Sequence, residues 1–205
     1  MRRNLLILVP LVALLSESPV SAQVFGSIGI GATSDDALDR FPITYGTPAA
    51  SRNTLIEAGV FVSARIGVAA ELLKAPDLSA RTTGHFGVFE AVETERALTV
   101  TVRIKAVHWQ AATLELLGGG GVVFASAQTT STPLAGPSVV RNDSQAGLTL
   151  VGGIDVPLRI VPHVYGVGTF RVYQFERDPM PIVAYNSQVG PSTQMIFGAL
   201  ARVVW

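Results

Sequence analysis

The 205-residue chain contains no cysteine. Disulfides, thiolate metal sites and cysteine nucleophiles are thereby excluded, and so is a lipid-anchored lipoprotein, which needs a cysteine to carry its acyl chains. Nor is there a charge surplus, since 15 Lys and Arg stand against 15 Asp and Glu. A protein that grips nucleic acid through its phosphates needs a basic excess, so no such partner is expected. The third absence is a long apolar run. Although 48% of the residues are hydrophobic, the richest segment beyond the N-terminal region, Leu55 to Leu73, is broken by Glu57, Arg65 and Glu71. A spanning helix needs roughly 20 predominantly apolar residues. Hydrophobicity spread thinly over many short segments is instead the pattern that membrane-crossing strands leave in a sequence.

The N-terminal region departs from that even spread. Arg2 and Arg3 form a basic start, Leu5 to Leu15 an apolar middle, and Pro19-Val20-Ser21-Ala22 a small-residue cleavage site. The apolar part is too short for a spanning helix, so a cleaved secretory signal is expected rather than an anchor. Residues 1–22 are assigned to the signal peptide and residues 23–205 to one domain. Loss of Arg2, Arg3 and Glu17 leaves 13 basic and 14 acidic residues, a nearly neutral mature chain.

Within that domain, apolar residues recur with a period of two, the signature of strands with one greasy face. Leu98, Val100, Val102, Ile104 and Ala106 alternate with Thr99, Thr101, Arg103 and Lys105. A helix would scatter these residues around its circumference. Similar alternation predicts strands at 24–33, 55–63, 66–73, 112–126, 148–158, 164–175 and 194–205, with Phe61 a misfit on the polar side of its strand. The connections alternate between short turns, at Ala64-Arg65, Val107 to Ala111 and Pro162-His163, and long polar loops, at about 34–53, 74–96, 128–146 and 176–193. The HFGVFEAVE segment, from His85, is a possible strand extension inside the second loop. Eight strands with first and last connections long put both chain ends on the short-turn side. The expected fold is all-β, an eight-stranded antiparallel up-and-down transmembrane β-barrel.

Assigning the apolar parity to lipid turns the other parity inward. The inner set contains Glu57, Glu71, Glu115 and Asp155 together with Arg103, Lys105, Arg171 and Arg202. Arginine or lysine on the lipid face at mid-bilayer costs about 2–4 kcal/mol, so charge strongly selects this register. Eight strands enclose a space that side chains can fill, and charges there must be paired or hydrated. A lumen ion-pair network follows, either a structural plug or a gate whose pairs exchange to open a narrow water path; the plug is favoured. Inward glycines such as Gly119 and Gly121 would leave room for water. Trp109 and Trp205 fall at strand ends on the short-turn side, where interfacial aromatic anchors are expected.

The closing stretch, Gln194 to Trp205 (QMIFGALARVVW), puts Phe197, Ala199, Ala201, Val203 and Trp205 on one face, Arg202 on the other, and ends on an aromatic. It resembles the terminal signal strand of bacterial outer-membrane β-barrels, and the whole chain from residue 24 resembles the small eight-stranded group that includes the OmpA membrane domain, OmpX and OmpW. The resemblance implies outer-membrane location with both termini periplasmic, and recognition of the last strand by the barrel-assembly machinery. It further implies contact with outer-membrane lipid and lipopolysaccharide and a role for the outer loops in binding an extracellular ligand. The loops carry apolar patches at Phe41 to Gly46, His85 to Phe89 and Met180 to Tyr185.

Some barrels of this kind modify lipid A acyl chains, which requires a nucleophile and a base. Here His108 and His163 fall in short turns, and His85 lacks a neighbouring serine constellation. Gly118 to Gly121 lacks the Lys-Ser/Thr of a phosphate loop and is expected to bend or bulge its strand. No zinc or calcium ligand spacing appears, so no catalytic residue, metal or cofactor is assigned. The leading expectation is a non-enzymatic barrel with a structural or surface-interaction role. A narrow pore for ions or small hydrophobic solutes is the alternative, ahead of a lipid A-modifying enzyme. A soluble ligand-binding barrel would be apolar inside, opposite to the pattern here.

Overall fold

The computed structural model describes residues 22–35, 52–75, 77–85, 87–176, 180–182, 187–189 and 192–205. The signal-like segment, apart from Ala22, lies outside these residues, as do the Phe41 to Gly46 patch and residues 183–185 of the third apolar patch. Among the described residues eleven strands are formed: β1 (Gln23–Asp35), β2 (Arg52–Phe61), β3 (Ile66–Lys74), β4 (Leu78–Gly84), β5 (Gly87–His108), β6 (Thr113–Pro133), β7 (Val139–Val161), β8 (Val164–Glu176), β9 (Met180–Ile182), β10 (Ser187–Val189) and β11 (Ser192–Val204). The main sheet runs β3-β2-β1-β11-β8-β7-β6-β5, and β5 pairs back onto β3, from Ile66↔Ile104 to Lys74↔Arg96. This closes a ring of eight antiparallel strands, the up-and-down barrel that the alternation predicts. Closure removes the exposed edges that an open sheet would present.

The first and last strands of the ring lie side by side, Phe25↔Val204 through Asp35↔Gln194. The start of β1, the end of β11 and the short turns therefore share one end of the barrel. There the Trp205 amide donates to the Val24 carbonyl and the Lys105 amide to the Arg65 carbonyl. In the β7–β8 turn His163 takes a positive φ of 68°. Its carbonyl accepts from the Val204 amide at 2.9 Å, so the turn is docked onto the closing strand.

Alternation is written into the walls. Along β5, from Arg96 to Ile104, each odd residue is buried and each even one exposed. The outward set includes Ile30, Val100, Leu148, Leu150 and Phe197, with Val100 57% and Ile30 66% exposed. Apolar residues in such numbers on the outside of a closed barrel fit hydrocarbon, not water.

Two of the long loops expected from the sequence are strand instead. β5, β6 and β7 run to 22, 21 and 23 residues, whereas crossing the hydrocarbon layer takes roughly 9–11. The surplus builds a sheet beyond the apolar band: β4 pairs with β5 from Leu78↔Glu93 to Gly84↔Gly87, and β6 stays paired with β7 up to Ser131↔Val139. The sequence hides these extensions for a physical reason. Outside the bilayer neither face has to be apolar, so the period-two signal disappears although the hydrogen-bond ladder continues.

The glycine run of β6 forms no bulge. Pairing is continuous through Gly118 to Gly121 on both sides, and the register shift of β5 lies elsewhere, between Lys105 and Val107. The inward glycines leave no water-sized gap at these positions. A Cβ on Gly119 or Gly121 would run into the carbonyls of Val100 and Leu98 on the neighbouring strand. These glycines permit close backbone approach where the barrel wall coils.

Candidate functional site

The lumen site is built on two pairs of acids. Glu57 on β2 stands directly opposite Glu71 on β3, and Glu115 on β6 directly opposite Asp155 on β7. Like charges opposed across a ladder are destabilising, so each pair needs cations from another part of the wall. Three arginines supply them. Arg103 on β5 contacts Glu57, lies 2.5 Å from Asp155 and 3.5 Å from Glu115, and has Glu71 at 3.9 Å. Arg171 on β8 contacts Glu71, with Glu57 at 3.0 Å and Asp155 at 3.1 Å. Arg202 on the closing strand reaches Glu115 at 2.8 Å and both Glu57 and Asp155 at 3.1 Å. Each arginine thus ties one acid pair to the other across the interior.

All of these side chains are buried, the three arginines at 0–1% exposure. Uncharged partners complete the cluster. Thr169 donates to Asp155 at 2.6 Å and itself accepts from Arg171 Nε at 3.0 Å. Arg202 Nε donates to the Ser27 hydroxyl at 3.1 Å, and the Tyr173 hydroxyl donates to Glu71. Parity places Ser27, Thr169 and Tyr173 on the inner face, but nothing in the sequence singles them out from other inward polar residues; only side-chain reach across the lumen does.

Lys105 stands apart from the arginines. It is opposite Glu115 in the ladder, yet its ammonium lies 3.7 Å from the centroid of the Phe61 ring and makes no ion pair with a described residue. Phe61, the misfit of its strand, is buried on the inside, where its ring packs 5.1 Å from that of Phe25. An inward aromatic at the barrel end gives Lys105 a cation–π partner.

The remaining interior is mixed: further polar side chains are buried toward the long-loop end, where Gln194 donates to Glu95 at 2.6 Å, Asn53 donates to Thr33 at 2.8 Å and Glu93 is 5% exposed. Leu55, Leu73, Ala97, Val123, Val151, Tyr173, Phe175 and Ile196 form a buried cluster on the side of the network away from the short turns. On the short-turn side lies a cavity of about 680 Å³, lined by Phe61, Arg65, Lys105, His108, Arg159 and Tyr165 among others, with Glu115 and Arg202 also in its lining. The charged cluster therefore faces this cavity toward the turn end, and toward the other end it meets the apolar cluster, with the buried Glu95–Gln194 pair beyond. Trp109 and Trp205 are exposed at the turn end, at 54% and 68%. His85, His108 and His163 do not come together: His108 and His163 sit at the turn end, bonded to Thr113 and to the Val204 carbonyl, and His85 lies in the β4–β5 turn.

No family model and no curated protein sequence matches the chain. Solved structures do. Ail, the attachment invasion locus protein of Yersinia pestis, superimposes with a TM-score of 0.55 at 14% identity over 89% of this chain and 99% of Ail. A second Ail structure, in complex with the heparin analogue sucrose octasulfate, gives the same values. A major outer membrane protein from Thermus thermophilus gives a TM-score of 0.59 at 15% identity, over 89% of this chain and 100% of that one. With the ring closed by β3 on β5 and apolar residues turned outward, the chain has the fold of the small eight-stranded bacterial outer-membrane β-barrels.

Proposed function

We propose that this protein is a non-conducting, non-enzymatic outer-membrane barrel that holds a rigid sheet above the membrane for contact with other molecules. The carrying observation is that β5, β6 and β7 continue as a paired sheet well past the apolar band, while a buried network of ion pairs crosses the lumen beneath. In this reading residues 1–22 are removed on export, the short-turn end faces the periplasm, Trp109 and Trp205 anchor at that interface, and β11 is the strand read by the assembly machinery. The ion-pair network serves as a plug. Glu57, Glu71, Glu115 and Asp155 are held by Arg103, Arg171 and Arg202 at the centre, Lys105 guards the turn end, and the apolar cluster above them completes the seal.

The chemistry of the raised sheet narrows its ligand. One Ail structure is a complex with the heparin analogue sucrose octasulfate, but here Arg81 and Arg141 are already paired with Glu90 at 3.1 Å and Asp143 at 2.9 Å. The β6–β7 tip instead exposes Leu134, Val139 and Val140, at 80%, 62% and 54%, within Ser/Thr-rich sequence. A protein surface with apolar side chains suits that tip better than a polyanion. The test is attachment of bacteria displaying the barrel to protein-coated surfaces, before and after residues 129–141 are replaced by a two-residue Asn-Gly turn that joins the paired Gln128 and Asn142. Loss of attachment with an intact barrel is expected, and unchanged attachment refutes the assignment. Planar-bilayer recordings of the intact protein should stay silent; steady single-channel steps would favour the pore instead.

A further inference from the structure

Above the apolar wall, three cations stand together on adjacent strands. Lys74 on β3 is directly opposite Arg96 on β5, and Arg52 on β2 lies two residues beyond Thr54, the ladder partner of Lys74. All three share the outward parity of Ile56, Leu72 and Leu98, immediately past them along their strands, and all three are exposed. Directly opposed residues sit about 5 Å apart, and diagonal ones about 7–8 Å, so the three charges fall within reach of one small anion. None makes an ion pair with a described residue. The nearest acid along this wall, Asp77, accepts a hydrogen bond from Thr94 at 3.1 Å.

Two facts make this more than a solvated face. Like charges directly opposed cost stability unless a counter-ion is supplied, and no described residue forms an ion pair with them. The cations are also confined to one side. Among the described residues of β6, β7, β8 and β11, those of outward parity past the apolar band, Ser126, Ser144, Gln174, Glu176 and Thr193, carry no positive charge. A row of cations at the upper edge of a lipid-facing surface meets phosphate groups attached to acyl chains, with the chains on Ile56, Leu72 and Leu98 and the phosphates at the guanidinium and ammonium groups.

We infer that Arg52, Lys74 and Arg96 form a clamp for the phosphates of an outer-leaflet glycolipid, a lipid A-type molecule lying along β2, β3 and β5. This rests on the membrane placement proposed above. Arginine supplies planar two-point contacts to phosphate oxygens, and lysine a mobile point charge between them.

The mature protein, refolded in zwitterionic detergent, would be titrated with bisphosphorylated lipid A, with the same lipid stripped of both phosphates, and with inorganic phosphate alone, and bound lipid counted by native mass spectrometry. At least tenfold tighter retention of the phosphorylated lipid is expected. The preference should fall to about onefold in Arg52→Gln/Lys74→Gln/Arg96→Gln and survive in Arg81→Gln/Arg141→Gln. If the triple variant does not give the heat-modifiable band of a folded barrel, Lys74→Gln alone must lower the preference at least threefold. Equal retention of both lipids overturns the clamp, as does inorganic phosphate competing as well as the lipid does. Failure to take up either lipid would instead tell against the membrane placement itself.

Discussion

Replacing Arg103 with methionine tests whether the lumen is held by ion pairs. The side chain is fully buried and touches four carboxylates. Deleting one partner of a buried pair costs about 3–5 kcal/mol, because the other charge stays behind unpaired. Here Arg171 and Arg202 still reach Glu57 and Asp155, which pulls the expected cost toward the lower end. Charge balance works the other way, since four acids would then face two arginines. About 3–4 kcal/mol is the resulting expectation. Adding Glu57→Gln removes an acid whose strongest partner has gone, so the double variant should be at least about 2 kcal/mol more stable than the sum of the single losses implies. Urea unfolding in phospholipid vesicles, followed by the fluorescence of Trp109 and Trp205 and by the heat-modifiable band, measures both quantities. A cost under about 1 kcal/mol for Arg103→Met, the scale of an exposed pair, would show that the charges are hydrated rather than paired. Strict additivity in the double variant would refute the coupling.

Other positions separate wall from interior. Val100→Arg, on the outward face, should destabilise the barrel by about 2–4 kcal/mol in lipid, whereas Val139→Arg, beyond the apolar band, should stay within about 0.5 kcal/mol; equal effects in vesicle unfolding would contradict the placement of the wall. Gly121→Ala drives a methyl group into the Leu98 carbonyl and should cost at least about 1–3 kcal/mol or block folding. Gly152→Ala, whose Cβ meets nothing within 4 Å, should be neutral, and folding yield on unheated gels reports the contrast. Phe61→Ala should cost about 3–5 kcal/mol as a buried aromatic truncation, and a loss below about 1 kcal/mol would mean that the Phe25–Phe61 contact does not form.

The barrel was legible because lipid and lumen impose opposite chemistry on alternate residues. Leu98 to Ala106 shows that contrast at every step, and the eight wall strands, their order and their parity follow from it. Where the contrast ends, so does most of the signal: β4 and the β6–β7 extension read as loop, and in the outer half of β5 only the segment from His85 to Glu93 suggests a strand continuing past the membrane. The members of the lumen cluster were visible as inward charges, but their partners were not. Register sets neighbours on adjacent strands, such as Glu57 and Glu71. It cannot say that Arg171 reaches across to both, because that depends on the diameter of the closed ring. Phe61 looked like an error of parity because it is an apolar residue on the inner face, yet the β1–β2 register alone sets it diagonal to Phe25.

Why three arginines occupy space that leucines could fill is a question about register more than about strength. Apolar replacement of a buried charge cluster is often neutral or stabilising, so strength alone does not account for the cluster. A one-residue slip of β8 or β11, by contrast, would carry Arg171 or Arg202 onto the lipid face at about 2–4 kcal/mol each. Arg202 meets Glu57 across 145 residues of chain, so its pairing is satisfied only when the last strand closes on the first in the correct offset. The two acid pairs strengthen that selection, because they repel on neighbouring strands until arginines arrive from across the ring. We predict that an uncharged variant, with the four acids changed to glutamine and Arg103, Arg171 and Arg202 to methionine, keeps much of its stability but loses uniqueness. More than one amide resonance for residues of β11 in its nitrogen-15 correlation spectrum would report slipped closures. A single set of peaks, with the native Phe25↔Val204 pairing intact, would show that the apolar wall alone fixes the register.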